Sequence, residues 1–376
     1  MKVIGHILLC TALCWQLSVF GQKTPNDSLL KKAALEVYNN PDRAITIGKK
    51  LLQTEKDINK TIKIYLMMST AGIAKRNFDE SLNYILKARE LGQKTNDQKL
   101  RITVLISIAL QFQQMELLSK SLESLDEADE HLRKLPEGLS FKYFETARSY
   151  ALRGMIYKSQ SNPEIALQEF LIAIQNFEKV KEKKQTYYNQ SIIYYNIGRC
   201  YLALNQLNSA DSAFKKSMEF ASTIKAKSLE AFALKGLAEM NKQNHRNQMA
   251  LELLTKAGNL SKDVGDLTLN EGIYKEMADN YLAMGRQNLY QIYNKKYFET
   301  RLKREQSELS SVDRAIDIHN MEAKRRSREM VAHYNCYIGT VIVSGLLVFG
   351  LFFWRMFKTR QNNKKYQKEI QKLIRS

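Results

Sequence analysis

Residues that interrupt helices are scarce in this chain. Its 376 residues include only 4 prolines and 16 glycines, and both residue types are unfavourable inside a helix. We therefore expect mostly helix with short connections. Large apolar side chains are plentiful by contrast, with 19 Tyr and 15 Phe, so a substantial core is available.

Cysteine is also scarce, and the placement of the 4 cysteines excludes two kinds of site. Cys10 and Cys14 fall in an N-terminal apolar stretch and Cys336 borders a second one, which leaves Cys200 alone between them. That part of the chain cannot hold an intrachain disulfide framework, and it has no Cys/His spacing typical of a metal site.

Sequence motifs of catalysis are missing as well. The sequence has no phosphate-binding loop of the form G-x-x-x-x-G-K-[ST] and no G-x-S-x-G nucleophile motif. Its 5 histidines are scattered without metal-ligand spacing. We therefore expect no enzyme, no cofactor and no metal site.

The first apolar stretch has the order of a secretory signal. Lys2 precedes an apolar run over residues 3–14, and a candidate cleavage point follows Gly21. A basic start, an apolar centre and a small residue at the cut predict a signal peptide over residues 1–21. The alternative is an amphipathic first helix, which the lack of a polar face in the run disfavours.

The second apolar stretch has the length of a membrane span. From Tyr337 to Trp354 no side chain is charged. A helix of this length, at about 1.5 Å per residue, extends roughly 27 Å, close to the thickness of a hydrocarbon core. The stretch predicts a transmembrane helix over residues 335–357. The alternative is a buried helix of a soluble protein, which the charged and aromatic flanks disfavour.

The net charge of +19 is unevenly distributed along the chain. Basic residues follow the second apolar stretch in larger number than they precede it, and only Glu369 opposes them. Because basic residues are enriched on the cytoplasmic side of a span, residues 358–376 are predicted to form a basic cytoplasmic tail. Such a tail attracts anionic membrane lipids. The basic residues are Arg355, Lys358, Arg360, Lys364, Lys365, Lys368, Lys372 and Arg375.

Between the two stretches lies a self-similar pattern. Gly198 is followed by Tyr201 at +3, Ala210 at +12, Phe214 at +16 and Ser217 at +19. Two antiparallel helices need small residues where their backbones approach and large ones beside them, and these offsets place both on one face. The same offsets after Gly154 give Tyr157, Ala166, Phe170 and Ala173.

This spacing resembles the tetratricopeptide repeat (TPR) family, whose unit is a helix–turn–helix. The resemblance covers residues 24–300 in about seven copies, 37 to 45 residues apart, against the family's usual period of about 34. It implies an all-α fold: a TPR-like right-handed α-solenoid of helical hairpins, then a long connector helix and a single transmembrane helix. The +12 residues of the copies are Ala44, Ser81, Ser121, Ala166, Ala210, Ala250 and Tyr290.

The family holds peptides or protein segments on a concave face built from the first helix of each pair. The resemblance therefore implies a groove of mixed basic and polar character, suited to an extended acidic or mixed peptide. The alternative is that these positions are merely solvated. The predicted groove residues are Arg148, Tyr195, Asn196, Arg199, Lys235, Glu239 and Lys275.

Residues 295–334 contain no Pro or Gly and are dense in charge, which predicts one long connector helix. Apolar residues recur there every seven positions, but the companion positions are only partly apolar, so half of a coiled-coil seam is present. The seam favours a homodimer through the connector. The alternative is a lone amphipathic helix packed on the last repeat. The seam residues are Leu302, Leu309, Ile316, Ala323 and Met330.

The overall order resembles membrane regulators common in Bacteroidota. In these proteins exported tetratricopeptide repeats, one span and a basic coiled segment precede an AraC-type DNA-binding domain or a histidine kinase. The resemblance implies signal transduction and transcription regulation at the bacterial inner membrane, with periplasmic repeats and a cytoplasmic tail. The tail is too short for an output domain, so DNA is a partner only if a C-terminal domain is missing.

Two hypotheses of function follow. The first is a single-pass receptor or sensor that binds a peptide or protein segment outside the cytoplasm and relays it across the membrane, either through another protein or as a truncated transcription regulator. The second is a membrane-tethered scaffold that assembles envelope proteins and transmits nothing. The scaffold hypothesis predicts that an unrelated anchor in place of the span and tail preserves function.

Overall fold

The computed structural model describes residues 25–37, 40–262 and 266–375, and the predicted signal peptide over residues 1–21 lies outside them. Within these ranges the chain forms fourteen α-helices and one 3-10 turn, with no β-strand. The predicted all-α fold is confirmed.

Thirteen helices precede a final, much longer one in the described part of the chain. The thirteen are α1 (Pro25–Glu36), α2 (Pro41–Leu52), α3 (Ile58–Ala74), α4 (Phe78–Lys94), α5 (Gln98–Gln114), α6 (Leu118–Arg133), α7 (Ser140–Ser159), α8 (Pro163–Lys179), α9 (Tyr187–Ala203), α10 (Leu207–Thr223), α11 (Lys227–Gln243), α12 (Asn247–Ser261) and α13 (Leu267–Ala283). The 3-10 turn is Lys183–Thr186, and the final helix is α14 (Gln287–Arg375).

Consecutive helices pack in pairs, α1 with α2 through α11 with α12, and each pair also packs on the next. Several helices begin at a residue whose side chain accepts a hydrogen bond from the first turn. Asn40 accepts from the backbone N–H of Arg43 at 3.0 Å, and Asp57 accepts from that of Lys60 at 2.8 Å. These caps satisfy N–H groups that have no partner within the helix.

The links between paired helices share one backbone geometry. In the link from α3 to α4, Arg76 has a φ of 60°, and the N–H of Asn77 donates to the carbonyl of Gly72 at 2.9 Å. This left-handed residue and its hydrogen bond satisfy carbonyls at the end of a helix and reverse the chain. The equivalent left-handed residues in later links are Glu116, Ser161, Asn205, His245 and Gly285.

The repeat spacing brings a glycine against an aromatic ring. A Cβ atom added to Gly154 would lie 2.7 Å from Cδ1 of Phe170, sixteen residues on, and one added to Gly198 would lie 2.5 Å from Cε1 of Phe214. A Cβ atom on Gly236, in the next repeat, would also collide with the Phe214 ring. Phe214 is therefore held between α9 and α11, where only glycine leaves room for it.

At other contacts between paired helices, buried serine side chains hydrogen-bond to the backbone of the neighbouring helix. The Ser191 hydroxyl donates to the carbonyl of Ser217 at 2.9 Å, and the Ser217 hydroxyl donates to that of Ser191 at 2.8 Å. In an earlier repeat the Ser81 hydroxyl donates to the carbonyl of Ser69 at 2.8 Å. All four serines are buried, and buried hydroxyl groups are stable only when hydrogen-bonded.

The first part of α14 packs back on the repeats. Ser311 and Ala315 are only 2% and 0% exposed, while the predicted seam residues Leu302 and Leu309 are 57% and 66% exposed. The packed face of the helix is thus different from the seam. A homodimer through the seam stays a prediction.

The chain falls into two compact units, Met1–Ala315 and Ile316–Ser376. The second unit is helical as far as it is described, and the large apolar side chains of its predicted span are exposed. The helix contains an 18-residue window with a mean hydropathy of 2.2. It is therefore long and apolar enough to cross a membrane.

Replacing Gly198 with Ala tests the glycine–aromatic contact. We expect Gly198→Ala to lower the free energy of unfolding by about 1–3 kcal/mol, because the new methyl group overpacks against Phe214. The measurement is chemical denaturation of the full chain in detergent micelles, followed by circular dichroism. Gly258→Ala is the matched control. Nothing lies within 4 Å of a Cβ atom at Gly258, so that variant should gain roughly 0.5–1 kcal/mol. Equal effects at the two positions would contradict the packing argument.

Candidate functional site

The repeats form a half-open cavity of about 780 Å³. The ends of α3, α5 and α7 contribute to its wall, as do the starts of α9, α11 and α13. These are the first helices of their pairs, which the repeat resemblance places on the concave face. The start of α2 and Ser217 of α10, from second helices, also line it. The polar side chains of the wall include Arg76, Gln114, Lys158, Tyr188, Ser191, Tyr195, Asn196, Ser217, Ser228 and Asp266.

Tyr195 connects the cavity wall to the core. Its ring packs on Phe214 with a centroid distance of 5.8 Å and on Phe232 with a distance of 5.5 Å. Because Phe214 is fixed between Gly198 and Gly236, the position of Tyr195 follows from the same contacts that set the spacing of α9 and α11.

A cluster of charges lies beside Tyr195. The buried carboxylate of Glu239 accepts hydrogen bonds from both Lys235 and Arg199. Burial opposes ionisation of Glu239, but the two cations outweigh it and hold the pKa of its carboxyl below the ordinary value. Lys235 itself fits because Gly272 of α13 has no side chain. A Cβ atom there would lie 2.7 Å from the Lys235 Cε atom.

Lys158 adds a further cation to this wall without adding a carboxylate. Its ammonium group donates to the neutral side-chain oxygen of Asn196, and none of the ion pairs in the described ranges includes it. Burial, assisted by the neighbouring charge of Arg199, lowers the pKa of Lys158 to about 8. The adjacent Cys200 thiol is fully buried, and burial raises its pKa to about 11.

Lys242, one turn beyond Glu239, shows the opposite situation. Its ammonium group lies 2.6 Å from Glu276 and 3.3 Å from Asp279. Burial opposes the charge of Lys242, but these carboxylates outweigh it, so its pKa is raised. The two lysines therefore differ in one respect that matters for binding: Lys242 has carboxylate partners of its own and Lys158 has none in the described chain.

The structure brings five of the seven predicted groove residues together. Tyr195 and Asn196 line the cavity, and Arg199, Lys235 and Glu239 form the charge cluster beside it. The other two predicted residues lie elsewhere on the repeats. Arg148 pairs with Glu145 at 2.7 Å, ten residues before the point where α7 meets the cavity, and Lys275 is exposed on α13.

Lys158 was not among the predicted groove residues. It stands at offset +4 from Gly154, whereas Arg199 and Glu239 stand at +1 in their own repeats. Offsets +1 and +4 share a helix face, so extending the predicted face by one turn would have found it. Among the described residues, no group of three or more His, Cys, Asp or Glu could hold a metal ion.

Comparison with known proteins gives one family match and several fold matches. The family described as tetratricopeptide repeat matches residues 191–223, which fall in α9 and α10. No curated protein sequence matches the chain. The predicted resemblance to this repeat family is confirmed.

Several solved structures share the fold at low sequence identity. NprR in complex with its cognate peptide NprX has a TM-score of 0.54 at 13% identity, over 86% of this chain and 94% of its own. The apo form of RapI has a TM-score of 0.52 at 16% identity, over 74% and 98%. A Rap protein complexed with Competence and Sporulation Factor has a TM-score of 0.51 at 13% identity, over 80% and 99%. The predicted TPR-like solenoid is confirmed.

The difference between Lys158 and Lys242 can be measured as a difference in the free energy of unfolding. The pKa of Lys158 is about 8 in the folded chain, against an ordinary value of 10.5. Between these two pH values, the unfolded chain keeps this proton more fully than the folded chain does. The charged side chain therefore costs stability in full below about pH 8, and the cost disappears as the pH rises to about 10.5. We expect Lys158→Met to stabilise the full chain at pH 7, on the order of 1–3 kcal/mol. This gain should shrink above pH 8 in thermal unfolding curves.

The control is Lys242→Met, which removes a paired cation and leaves two carboxylates behind. It should destabilise the protein at pH 7. A Lys158→Met variant that is also less stable at pH 7 would contradict the argument that Lys158 has no charged partner.

Proposed function

We propose that this chain is a single-pass membrane receptor whose repeats bind an acidic peptide or protein segment outside the cytoplasm and relay its presence across the membrane. The fold is of a type that mediates protein–protein interaction. The choice of an acidic ligand and of a membrane receptor rests on the observations below.

The observation that carries the proposal is the excess of cations in and beside the cavity wall. Lys75, Arg76 and Lys158 line the cavity against the carboxylates of Asp42 and Asp266. Arg199 and Lys235 stand beside it and share the carboxylate of Glu239. Burial lowers the pKa of Lys158 to about 8, which indicates that its charged form is held there at a cost in stability. A ligand carboxylate in the cavity would give it the partner that it lacks, and charge-assisted hydrogen bonds are stronger than neutral ones.

The size of the cavity and its remaining side chains favour a peptide over a small ion. A volume of about 780 Å³ is in the range that holds a ligand of drug size. Ile192 and Phe232 supply apolar surface, while Ser228 and Tyr188 supply hydroxyl groups. The NprR structure of similar fold contains a bound peptide, which supports a peptide as the class of ligand.

The membrane part of the proposal is supported by the final helix. It is long and apolar enough to cross a membrane, and the basic residues after residue 354 favour the cytoplasmic side for the tail. The predicted leader favours export of the repeats. Together these features support a location in the bacterial inner membrane with periplasmic repeats.

Limited proteolysis of intact spheroplasts tests this orientation. Protease added outside should cut within the repeats and spare the tail, and peptide mass spectrometry identifies the fragments. Lysed spheroplasts are the control, in which both parts should be cut. If residues 24–330 survive in intact cells while the last residues are digested, the proposed orientation is wrong.

Binding of defined peptide pools tests the ligand class. Two pools of random hexapeptides differ only in one fixed central residue, Glu or Gln, and each is passed over the full chain held in detergent micelles. We expect the Glu pool to be retained about tenfold more strongly, because a hydrogen bond to a charged group is worth roughly 1.5–3 kcal/mol. Mass spectrometry of the eluate gives the ratio.

Lys158→Met should remove most of that preference at pH 7, since it removes the cation without a carboxylate partner. Lys275→Gln is the control, because Lys275 is exposed and outside the cavity wall. Equal retention of the two pools, or retention of neither, would overturn the proposed ligand class.

A further inference from the structure

Residues 304–315 of α14, here called the strap, lie against repeats that are far apart in sequence. The residues that make the contacts are Arg304, Glu308, Ser311 and Ala315. Their spacing of four, three and four positions places them on one face of the helix. The strap therefore has a defined docked side.

Ser311 supplies a cap that α4 lacks within its own repeat. Asn77 stands at the N-cap position of α4 but makes no side-chain cap hydrogen bond. The Ser311 hydroxyl accepts the N–H groups of both Phe78 and Asp79 instead, and it donates to the Asp79 carboxylate at 3.0 Å. These partners are separated by more than 230 positions, so the cap holds the strap to the second repeat.

An ion pair reinforces this contact. Arg314 lies 2.6 Å from the other carboxylate oxygen of Asp79. Burial opposes ionisation of Asp79, but the hydrogen bonds from Arg314 and Ser311 outweigh it, and the pKa of Asp79 is lowered. The N-terminus of α4 thus forms a docking site for the strap.

A row of charges links the strap to the cavity. Arg304 lies 2.5 Å from Glu271 of α13 and 2.5 Å from Glu308, and Glu308 lies 2.5 Å from Arg76. Arg76 also donates a hydrogen bond to the side-chain oxygen of Gln114 at 3.0 Å. Arg76 and Gln114 both line the cavity. Arg76 is therefore shared between the strap on one side and the cavity on the other.

The strap is attached mainly by polar contacts. Its fully buried side chains, among those that the structure describes, are the small ones of Ser311 and Ala315, so little apolar area is removed from water. The ion pairs of Arg304 and Glu308 keep 14–28% of their side-chain surface exposed, so water can reach the charges when a pair separates. A helix segment held by such contacts can leave its docked position at a small cost in free energy. A segment that adopts two arrangements requires such a small difference.

We propose that residues 304–315 form a detachable strap, and that an acidic ligand in the cavity weakens its docking by taking Arg76 from Glu308. The coupling half of this inference rests on the proposed function, whereas the docked strap does not. Loss of the Arg76 contact leaves Glu308 paired only with Arg304, and the strap then keeps only the contacts at α4 and α13.

Hydrogen exchange of the full chain in detergent micelles tests the docked strap without any ligand. We expect Ser311→Ala to raise amide exchange about tenfold in the peptides that contain Phe78, Asp79 and residues 304–315, because the N-cap is lost. Ser310→Ala is the matched control, since Ser310 is exposed and its hydroxyl contacts only its own helix in the described structure. If Ser311→Ala exchanges like Ser310→Ala, the strap is not docked as proposed.

The coupling is tested with the Glu and Gln hexapeptide pools. The Glu pool should raise exchange of residues 304–315 in the unmodified chain several-fold, and the Gln pool should leave it unchanged. Glu308→Gln should raise retention of the Glu pool several-fold by freeing Arg76. Glu299→Gln is the control, because Glu299 is exposed, lies outside the strap and pairs with the exposed Lys295 of its own helix, so it should change nothing.

The outcomes separate the two proposals. Retention of the Glu pool with no change in strap exchange, or with no effect of Glu308→Gln, overturns the coupling and leaves the proposed ligand class intact. Retention of neither pool overturns the proposed function and the coupling with it. The docked strap is decided by the serine variants in either case.

Discussion

The ring of Phe214 between Gly198 and Gly236 sets the distance between two neighbouring repeats. A larger residue at either glycine would collide with the ring, so α9 and α11 can approach only as far as the ring allows. The residues next to these glycines are Arg199 and Lys235, and both reach Glu239. The packing of one aromatic side chain thereby brings two cations to one carboxylate. Interiors this closely packed transmit such constraints because they have little room to adjust.

The distance between neighbouring repeats also determines which side chains line the cavity. The ring of Tyr195 packs on Phe214. Asn196 follows on the same helix, and its amide oxygen accepts a hydrogen bond from the ammonium group of Lys158. Lys158 comes from the preceding repeat, so this part of the wall is assembled from side chains of neighbouring repeats. A solenoid in which each repeat contacts its neighbours can build such a composite wall.

The sequence predicted the parts of this arrangement that depend on short, repeated spacings. The glycine, alanine and aromatic offsets around Gly154 and Gly198 anticipated the helix pairs, and the groove positions at Tyr195 and Asn196 lie where they were expected. Arg148 lies on the same helix as Lys158 but away from the cavity, because the offset alone does not tell at which end a helix meets it. α7 meets the cavity at its C-terminal end, through Lys158.

The strap could not be predicted by this reasoning. Its contacts join Ser311 to Phe78 and Glu308 to Arg76, more than 230 positions apart, and no periodicity records a contact of that range. Leu302 and Leu309, which recur at an interval of seven residues, lie on the opposite, exposed side of the helix. Small and charged residues form the docked side, and hydrophobic periodicity does not detect such a side.

Cys200 has a consequence for the compartment in which such repeats can work. Its thiol is fully buried, and its raised pKa keeps it protonated at neutral pH. Thiol–disulfide exchange requires a thiolate that another sulfur atom can reach. The folded repeat unit therefore keeps Cys200 out of mixed disulfides on either side of a membrane.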